Sequence, residues 1–326
     1  MNVKVMQVYM EMFARYKRHK VVNIALLIGC YVCNVNGVQA QTDKFVLKAG
    51  DRVVFLGNTF FERSLNSGHI ETALALGFST ANVTFRNIGW SGDTVGGVAR
   101  TGGRRGAIFG SPQEGFAVLE KHVESLHPTH LFIAYGFNES FGGDNGIAPF
   151  KAGLSQLLAS VTKTDRQVIL ISPTPMENGF GPSDQYVAQR NLTIKKYASV
   201  IQSTAKSLGH TYIDLLNPLM NGSHAYSSDG IHPSTQGYAK IAKIIAKSLQ
   251  CSKIKNKLDK KMVNEIRLAI AKKNTLFYHH WRPRNNAYVY GERKEEQRIA
   301  QLEPDKITPF IEKQEIVIWQ ILGELQ

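Results

Sequence analysis

The chain has 326 residues, of which 43% are hydrophobic and 20% are charged. This composition allows a full hydrophobic core and excludes a mainly disordered chain. The formal net charge of +13 suits anionic partners in general, but no nucleic-acid-binding motif accompanies it, so we expect no nucleic-acid partner.

The first 40 residues have the order of a signal peptide. A basic segment at 17–20 precedes an apolar run at 21–35, and residues 38–40 supply the small side chains of a cleavage site. The apolar run is shorter than the roughly 20 residues that a membrane-spanning helix needs. We expect cleavage after Ala40 and a secreted or periplasmic protein. Two alternatives stay open: lipid attachment at Cys30, in a segment that resembles a bacterial lipobox, and an uncleaved N-terminal anchor.

Short apolar runs alternate with segments of helical spacing from residue 45 onwards. Strands separated by helices are typical of a parallel sheet with helices on both faces, which is an α/β fold. Ligands of such sheets bind beyond the carboxyl ends of the strands. The predicted strands are 52–56, 83–88, 131–135, 168–171 and 211–215, and the predicted helices are 62–76, 114–126, 149–161, 184–208 and 235–249.

The last part of the chain, 251–326, has a different character. The segment 252–273 is rich in lysine and has helical spacing, and residues 278–290 are dense in aromatic and arginine side chains. We predict a helical C-terminal extension after a signal peptide at 1–40 and a catalytic domain at 41–250. The aromatic segment either packs on that domain or forms an exposed platform that stacks on sugars or an anionic polymer.

Four clusters rich in glycine and polar residues follow predicted strands or precede the last helix of the domain. Because the carboxyl ends of parallel strands meet at one edge of a sheet, we expect these clusters to lie close together. They are Gly57-Asn58-Thr59, Gly89-Trp90-Ser91-Gly92-Asp93, Gly136-Phe137-Asn138-Glu139 and Asp229-Gly230-Ile231-His232.

Together the clusters contain the groups that acyl transfer requires. A hydroxyl nucleophile needs a base within hydrogen-bond reach and a carboxylate that orients the base. Thr59 would be the nucleophile, His232 the base and Asp229 the orienting carboxylate. The backbone N–H groups of Thr59 and Gly89 and the side-chain amide of Asn138 would form an oxyanion hole.

In order and position these clusters resemble blocks I, II, III and V of the SGNH/GDSL hydrolase family. Block II maps to Gly89, block III to Asn138, and block V to Asp229 and His232, and the resemblance covers roughly residues 46–250. It implies a three-layer α/β/α flavodoxin-like fold and the hydrolysis of acyl or acetyl esters, often on sugars or lipids, without a metal or another cofactor.

Block I departs from the family pattern. The family has Gly-Asp-Ser where this chain has Gly57-Asn58-Thr59, a variant that resembles exported relatives with a helical C-terminal extension. Threonine keeps the hydroxyl, but its β-methyl group restricts χ1 and can crowd an incoming carbonyl. Asn58 removes a carboxylate beside the nucleophile.

Two functions therefore stay open. The first is an exported hydrolase of a small-molecule or polysaccharide ester, with Thr59 as nucleophile and membrane contact only through the N-terminal segment. The second is a degenerate module that binds a glycan or acyl ligand without cleaving it. The retained pair of Asp229 and His232 favours the first function, because binding alone does not require an acid–base pair.

Several of these polar residues also have other interpretations. Thr59 could instead cap the following helix, and Ser91 is an alternative nucleophile. Asp93, Glu139 and Glu177 could position sugar hydroxyls.

Overall fold

In the part of the chain that the structure describes, five parallel strands form one sheet. The computed structural model describes residues 45–78, 82–100, 112–222, 225–251, 259–291 and 293–324. The predicted signal peptide therefore lies outside the described residues. The strands are β1 (Arg52–Gly57), β2 (Thr84–Asn87), β3 (His130–Ala134), β4 (Gln167–Ile171) and β5 (Thr211–Ile213).

Helices cover both faces of this sheet. They are α1 (Thr59–Ser67), α2 (His69–Phe78), α3 (Pro112–Glu124), α4 (Ile147–Val161), α5 (Asp184–Leu208), α6 (Leu216–Met220) and α7 (Thr235–Ser248). Along β1, Val53 and Phe55 face a core that α1, α2 and α7 complete, whereas Val54 and Leu56 face a core with α3, α4 and α5. The strand order is β2-β1-β3-β4-β5, so the predicted three-layer α/β/α flavodoxin-like fold is confirmed.

Most predicted elements lie within two residues of the observed ones. The long helix predicted at 184–208 is α5, which Ser183 caps at its start and Gly209 ends in the left-handed conformation. The prediction of a single helix at 62–76 is wrong, because this segment forms two helices, α1 and α2. It is interrupted at Gly68, whose φ of 67° ends α1 and lets α2 begin in a new direction.

The C-terminal extension is helical in its described part, as predicted. Residues 252–258 of the predicted lysine-rich segment lie outside that part. The domain boundary that we expect after residue 250 stays a prediction. The described part of the extension contains α8 (Lys260–Trp281), α9 (Asn286–Val289), short 3₁₀ turns at Arg298–Leu302 and Pro304–Ile307, and α10 (Thr308–Gly323).

The extension covers β2, which is one of the two edge strands of the sheet. Phe277 of α8 and Ile311 of α10 join the core that contains α3, α4 and α5. Lys273 Nζ donates to Glu71 Oε1 on α2 at 2.6 Å and to the carbonyl oxygen of Phe85 on β2 at 2.9 Å, and all three residues are buried. Edge strands expose unpaired backbone groups, so this contact shields the sheet on that side.

The aromatic segment at 278–290 begins against the domain and ends in solvent. The Trp281 ring lies 5.6 Å from the Trp90 ring and 5.3 Å from the His122 ring, whereas Tyr290 is 56% exposed. The packing interpretation therefore holds for Trp281. None of the helices in the described ranges is both long and apolar enough to cross a membrane.

Candidate active site

The first cluster forms the turn between β1 and α1. Asn58 is the residue that caps α1, because its Oδ1 accepts a hydrogen bond from the Phe60 N–H at 3.0 Å. Thr59 is the first residue of the helix and is half-buried, so its interpretation as the cap is wrong. Its N–H belongs to the first-turn donors that have no acceptor within the helix.

Asp229 and His232 meet in a tight turn before α7, as the sequence predicts. The Nδ1 of His232 lies 2.7 Å from Asp229 Oδ2, and the His232 backbone N–H donates to Asp229 Oδ1 at 2.7 Å. Partial burial raises the pKa of Asp229, but hydrogen bonds from His232 and from the Ile231 N–H outweigh that effect and lower the pKa to about 2. The carboxylate is therefore charged at neutral pH and holds Nδ1, which leaves Nε2 to face a substrate.

Glu177 anchors this turn from the loop after β4. Its carboxylate accepts hydrogen bonds from the N–H groups of Tyr226 at 2.9 Å and Ser227 at 2.7 Å and from the Ser227 hydroxyl. Its own N–H donates to the Gly230 carbonyl oxygen at 2.8 Å. These bonds give Glu177 a structural role in place of the predicted contact with sugar hydroxyls.

The predicted residues converge on a pocket at the carboxyl ends of the strands. Thr59, Asn138 and His232 all line it, together with apolar side chains such as Phe137 and Ile231. Its volume is about 50 Å³. One water needs about 10–15 Å³ of such a cavity, so the pocket has room for only a few non-hydrogen atoms.

The Thr59 hydroxyl is bonded to the loop after β2. Its Oγ1 accepts from the Gly92 N–H at 3.4 Å, and within the described residues no hydrogen bond joins it to His232. Thr59 and His232 thus line the same pocket without a hydrogen bond between them. Catalytic hydrogen bonds of ligand-free enzymes often tighten only with substrate.

Gly89 does not have the position that an oxyanion donor needs. Its N–H donates to Asn87 Oδ1 at 2.9 Å, and a Cβ atom there would lie 2.4 Å from the Glu62 nitrogen, so this glycine serves the close packing of α1. Gly92 is the residue whose N–H faces Thr59. The Gly89 N–H is therefore not available as predicted, and it is the N–H of Gly92, a residue of the same cluster that was not predicted for the site, that faces Thr59.

Asn138 lines the pocket, and its side chain is hydrogen-bonded to the loop that carries Gly92. One N–H of its side-chain amide donates to the Asp93 carbonyl oxygen at 2.9 Å, and the second N–H remains for an oxyanion. The Asn138 side chain does not cap the turn that follows it. Its predicted place beside the nucleophile fits this geometry.

The two remaining carboxylates of the clusters support the loops around the site; Asp93 is fully buried and Glu139 is half-buried. Asp93 accepts from Arg100 Nε at 2.7 Å and from the Tyr135 hydroxyl at 2.8 Å, and Glu139 accepts from the N–H groups of Val95 at 2.9 Å and Gly136 at 2.8 Å. Burial raises the pKa of Glu139 despite these hydrogen bonds. Asp93 is out of reach of a ligand, so the prediction that it positions sugar hydroxyls is wrong, whereas for Glu139 that role stays a prediction beside its structural hydrogen bonds.

The resemblance implies a reaction without a metal. The described residues contain no group of three or more histidine, cysteine or acidic side chains that could hold a metal ion. His122 lies beside Arg100, the partner of Asp93, with 3.2 Å between His122 Nδ1 and Arg100 Nη1. Burial, with the positive charge of Arg100 beside it, lowers the pKa of His122 to about 3, which keeps it neutral.

The fold and the site together place a threonine hydroxyl, a hydrogen-bonded Asp–His pair and an asparagine amide around one pocket at the carboxyl edge of a parallel sheet. The model of the GDSL-like lipase/acylhydrolase family matches residues 58–240, which is more than half of the chain. The chain therefore belongs to this family. Lipases and acylhydrolases cleave ester bonds, and this places the chain among the ester hydrolases.

Several solved structures are similar to the chain at low identity. BT4096, a gut microbial diltiazem-metabolizing enzyme, has a TM-score of 0.48 and 20% identity over 65% of this chain and 49% of its own. The alignment thus spans about half the length of BT4096. A catalytic mutant of Axe2, an acetylxylan esterase from Geobacillus stearothermophilus, has a TM-score of 0.49 and 17% identity over 64% of this chain and 98% of its own. Est24, a carbohydrate acetylesterase from Sinorhizobium meliloti, has a TM-score of 0.45 and 14% identity over 61% of this chain and 98% of its own. No curated protein matches the chain.

Proposed function

We propose that the chain hydrolyses an acyl or acetyl ester with Thr59 as the nucleophile. The observation that carries the proposal is the 2.7 Å hydrogen bond between His232 Nδ1 and Asp229 Oδ2, at a pocket that both His232 and Thr59 line. A histidine oriented in this way can accept a proton on Nε2, and the threonine is the hydroxyl that shares its pocket.

The reaction follows from these positions. As Thr59 Oγ1 attacks the ester carbonyl, its proton moves to His232 Nε2, and the N–H groups of Thr59, Gly92 and Asn138 stabilise the oxyanion. The bond to the alcohol breaks and the alkoxide takes the proton from His232, which leaves an acyl-threonine. A water molecule then attacks the carbonyl of the acyl-threonine while His232 Nε2 accepts its proton. The bond to Thr59 Oγ1 breaks, Oγ1 takes the proton back from His232, and the acid is released.

The size of the pocket supports a short acyl group. A volume of about 50 Å³ fits an acetyl group, which has three non-hydrogen atoms, whereas a long acyl chain would have to extend outside. The alcohol part of the ester, whether a small molecule or a polysaccharide, then lies beyond the pocket mouth.

The test is hydrolysis of p-nitrophenyl esters of increasing acyl length, and of acetylated polysaccharides, by the purified full chain. We expect the highest rate with acetate, and loss of that rate in Thr59→Ala and in His232→Ala. Ser91→Ala is the matched control, because Ser91 is an exposed hydroxyl on the neighbouring loop. Activity that survives Thr59→Ala and disappears in Ser91→Ala would reject the nucleophile.

A second candidate function is binding of a glycan or acyl ligand without turnover. The observation that favours it is the hydrogen bond of Thr59 Oγ1 to Gly92 in place of His232. This function predicts equal, near-zero rates for the wild type and Thr59→Ala. It also predicts that calorimetry detects binding of acetylated oligosaccharides to both.

Export is the remaining part of the proposal. It is supported by the order of basic, apolar and small residues in 17–40. Intact-mass analysis of protein from a secreting host tests it: a mature chain that begins at Gln41 supports a signal peptide. A lipid adduct on Cys30 would identify a lipoprotein, and an intact Met1 in the membrane fraction an uncleaved anchor.

A further inference from the structure

Residues of α1 and of the C-terminal extension hold the loop that carries Gly92. We name residues 90–93 the Gly92 loop; it is a β-turn closed by a hydrogen bond from the Asp93 N–H to the Trp90 carbonyl oxygen at 3.0 Å. Its third residue, Gly92, has a φ of 79°, as a type II turn requires. This turn directs the Gly92 N–H to Thr59 Oγ1.

Glu62 connects the Gly92 loop to the helix of the nucleophile. Glu62 lies one turn after Thr59 on α1, so both side chains are on the same face of that helix. Its Oε2 accepts a hydrogen bond from the Ser91 N–H at 2.7 Å. Two successive N–H groups of the loop, those of Ser91 and Gly92, are therefore bonded to α1.

Arg282, at the end of α8 in the C-terminal extension, completes this arrangement. Its guanidinium donates to the same Glu62 Oε2 at 2.6 Å and lies 3.9 Å from the centre of the Trp90 ring. Trp281 contacts the Trp90 ring at its edge, 5.6 Å between centroids. The side chains of Arg282 and Glu62 are only 23% and 21% exposed, so water competes little with their ion pair.

We propose that Arg282 is a positioning residue for ester hydrolysis: through Glu62 and Trp90 it fixes the Gly92 loop, so that the Gly92 N–H is held where the oxyanion forms. The proposal rests on the function proposed above. Arg282 itself touches neither Thr59 nor His232, and its effect on the reaction passes through the loop. The extension, which lies outside the family match, thereby contributes to the site.

The chemistry of the guanidinium explains why an arginine suits this place. Its planar group can stack on an indole ring while its edge donates to a carboxylate, which an ammonium group cannot do at once. If the ion pair is lost, Glu62 is free to turn towards solvent and the Ser91 N–H loses its acceptor. A displacement of the loop by about 1 Å costs on the order of 100-fold in rate when it misplaces a group that acts in the transition state.

The experiment compares Arg282→Gln, Arg282→Lys and Arg267→Gln in the full chain. Arg267 is the matched control, because it also lies on α8 and bonds α1, at the Ser67 carbonyl oxygen at 3.1 Å, but it does not contact the Gly92 loop. We expect Arg282→Gln to lower kcat for p-nitrophenyl acetate by about 10-fold to 100-fold with little change in KM. Arg282→Lys should recover part of the loss, and Arg267→Gln should keep the wild-type kcat.

A second measurement does not depend on activity. Hydrogen–deuterium exchange followed by mass spectrometry reports on peptides that span the Gly92 loop. We expect severalfold faster exchange in these peptides in Arg282→Gln than in the wild type and Arg267→Gln, with unchanged exchange in β3 and β4. The melting temperatures of the two glutamine variants show whether general destabilisation differs between them.

The outcomes separate this proposal from the proposed function. Equal kcat in Arg282→Gln and Arg267→Gln, or unchanged exchange at the Gly92 loop, would overturn the positioning role. If the wild type hydrolyses none of the esters, the proposed function fails. In that case the exchange experiment still decides whether Arg282 holds the loop.

Discussion

Replacing Thr59 by serine tests whether the β-methyl group limits the reaction. Hydrogen bonds of the two neighbouring residues fix the backbone at this position. Asn58 Oδ1 accepts from the Phe60 N–H at 3.0 Å, and the Tyr238 hydroxyl donates to the Phe60 carbonyl oxygen at 2.6 Å. The backbone should therefore stay in place in Thr59→Ser. What changes is χ1, which the branched side chain restricts and serine does not.

The present hydrogen bond of the hydroxyl is easily broken. The distance of 3.4 Å between Thr59 Oγ1 and the Gly92 nitrogen exceeds the usual range of about 2.7–3.2 Å, so its loss costs less than about 1 kcal/mol. In serine the oxygen can turn to His232 without a methyl group beside the incoming carbonyl. Relief of a misplacement of about 1 Å is worth on the order of 100-fold in kcat, or about 2.7 kcal/mol of barrier.

The cost in stability is small by comparison. Thr59 is half-buried, and a fully buried methylene contributes only about 0.8 kcal/mol. The serine variant should therefore fold as the wild type does, and its melting curve is the control for the kinetics.

The assay is the steady-state hydrolysis of p-nitrophenyl acetate, with the burst of p-nitrophenol as a measure of acylation. We expect a higher kcat for Thr59→Ser, a KM within a few-fold of the wild type, and no burst for Thr59→Ala. A folded Thr59→Ser variant with the wild-type kcat, in an enzyme that loses its activity in Thr59→Ala, would refute the role of the methyl group.

Three further predictions concern the neighbours of the nucleophile and the extension. Asn138→Ala should lower kcat by on the order of 100-fold, as loss of an oxyanion donor does. The variant also loses the hydrogen bond to the Asp93 carbonyl oxygen, and the resulting decrease in melting temperature is measured separately. The pKa of Asp229 is about 2 in the fold against about 3.9 in an unfolded chain, so this group stabilises the fold above pH 4 and the contribution disappears as the pH falls towards 2. The difference in melting temperature between the wild type and Asp229→Asn should therefore be constant above about pH 5 and shrink below pH 4. Lys273→Met should lower the free energy of unfolding in urea by about 3–5 kcal/mol, because it leaves the buried carboxylate of Glu71 without its cationic partner, and Glu71→Gln in the same chain should restore part of the loss.

The sheet and most helices could be predicted because their signals are local. The helix 184–208 has a serine cap, helical spacing and a terminal glycine, and each of these acts within a few residues. The break at Gly68 could not be predicted in the same way. Both sides of it have helical spacing, and a glycine inside such a pattern does not reveal its φ.

The hydrogen-bonded pair of Asp229 and His232 could be predicted because three residues of spacing and a tight turn suffice to join them. The N–H group that faces Thr59 could not be predicted, because Gly89 and Gly92 stand in one cluster. Which of their N–H groups faces Thr59 depends on the turn geometry of the Gly92 loop and on Asn87, which takes the N–H of Gly89. The same holds for Arg282, whose contact with Glu62 spans 220 residues of sequence and has no local signature.

The path of α8 explains how the extension can contact both the edge of the sheet and the Gly92 loop. Along one face of this helix, Lys273 bonds the β2 carbonyl of Phe85, Phe277 packs into the core, and Trp281 reaches Trp90. These positions are four residues apart, so they follow one side of the helix. The Gly92 loop lies shortly after β2 in the chain, and the end of α8, which packs on β2, lies beside that loop. Shielding of this sheet edge and the positioning of the Gly92 loop that we propose therefore rest on the same packing of α8. We expect that removing the part of the chain beyond residue 250 affects both the stability of the fold and the proposed site.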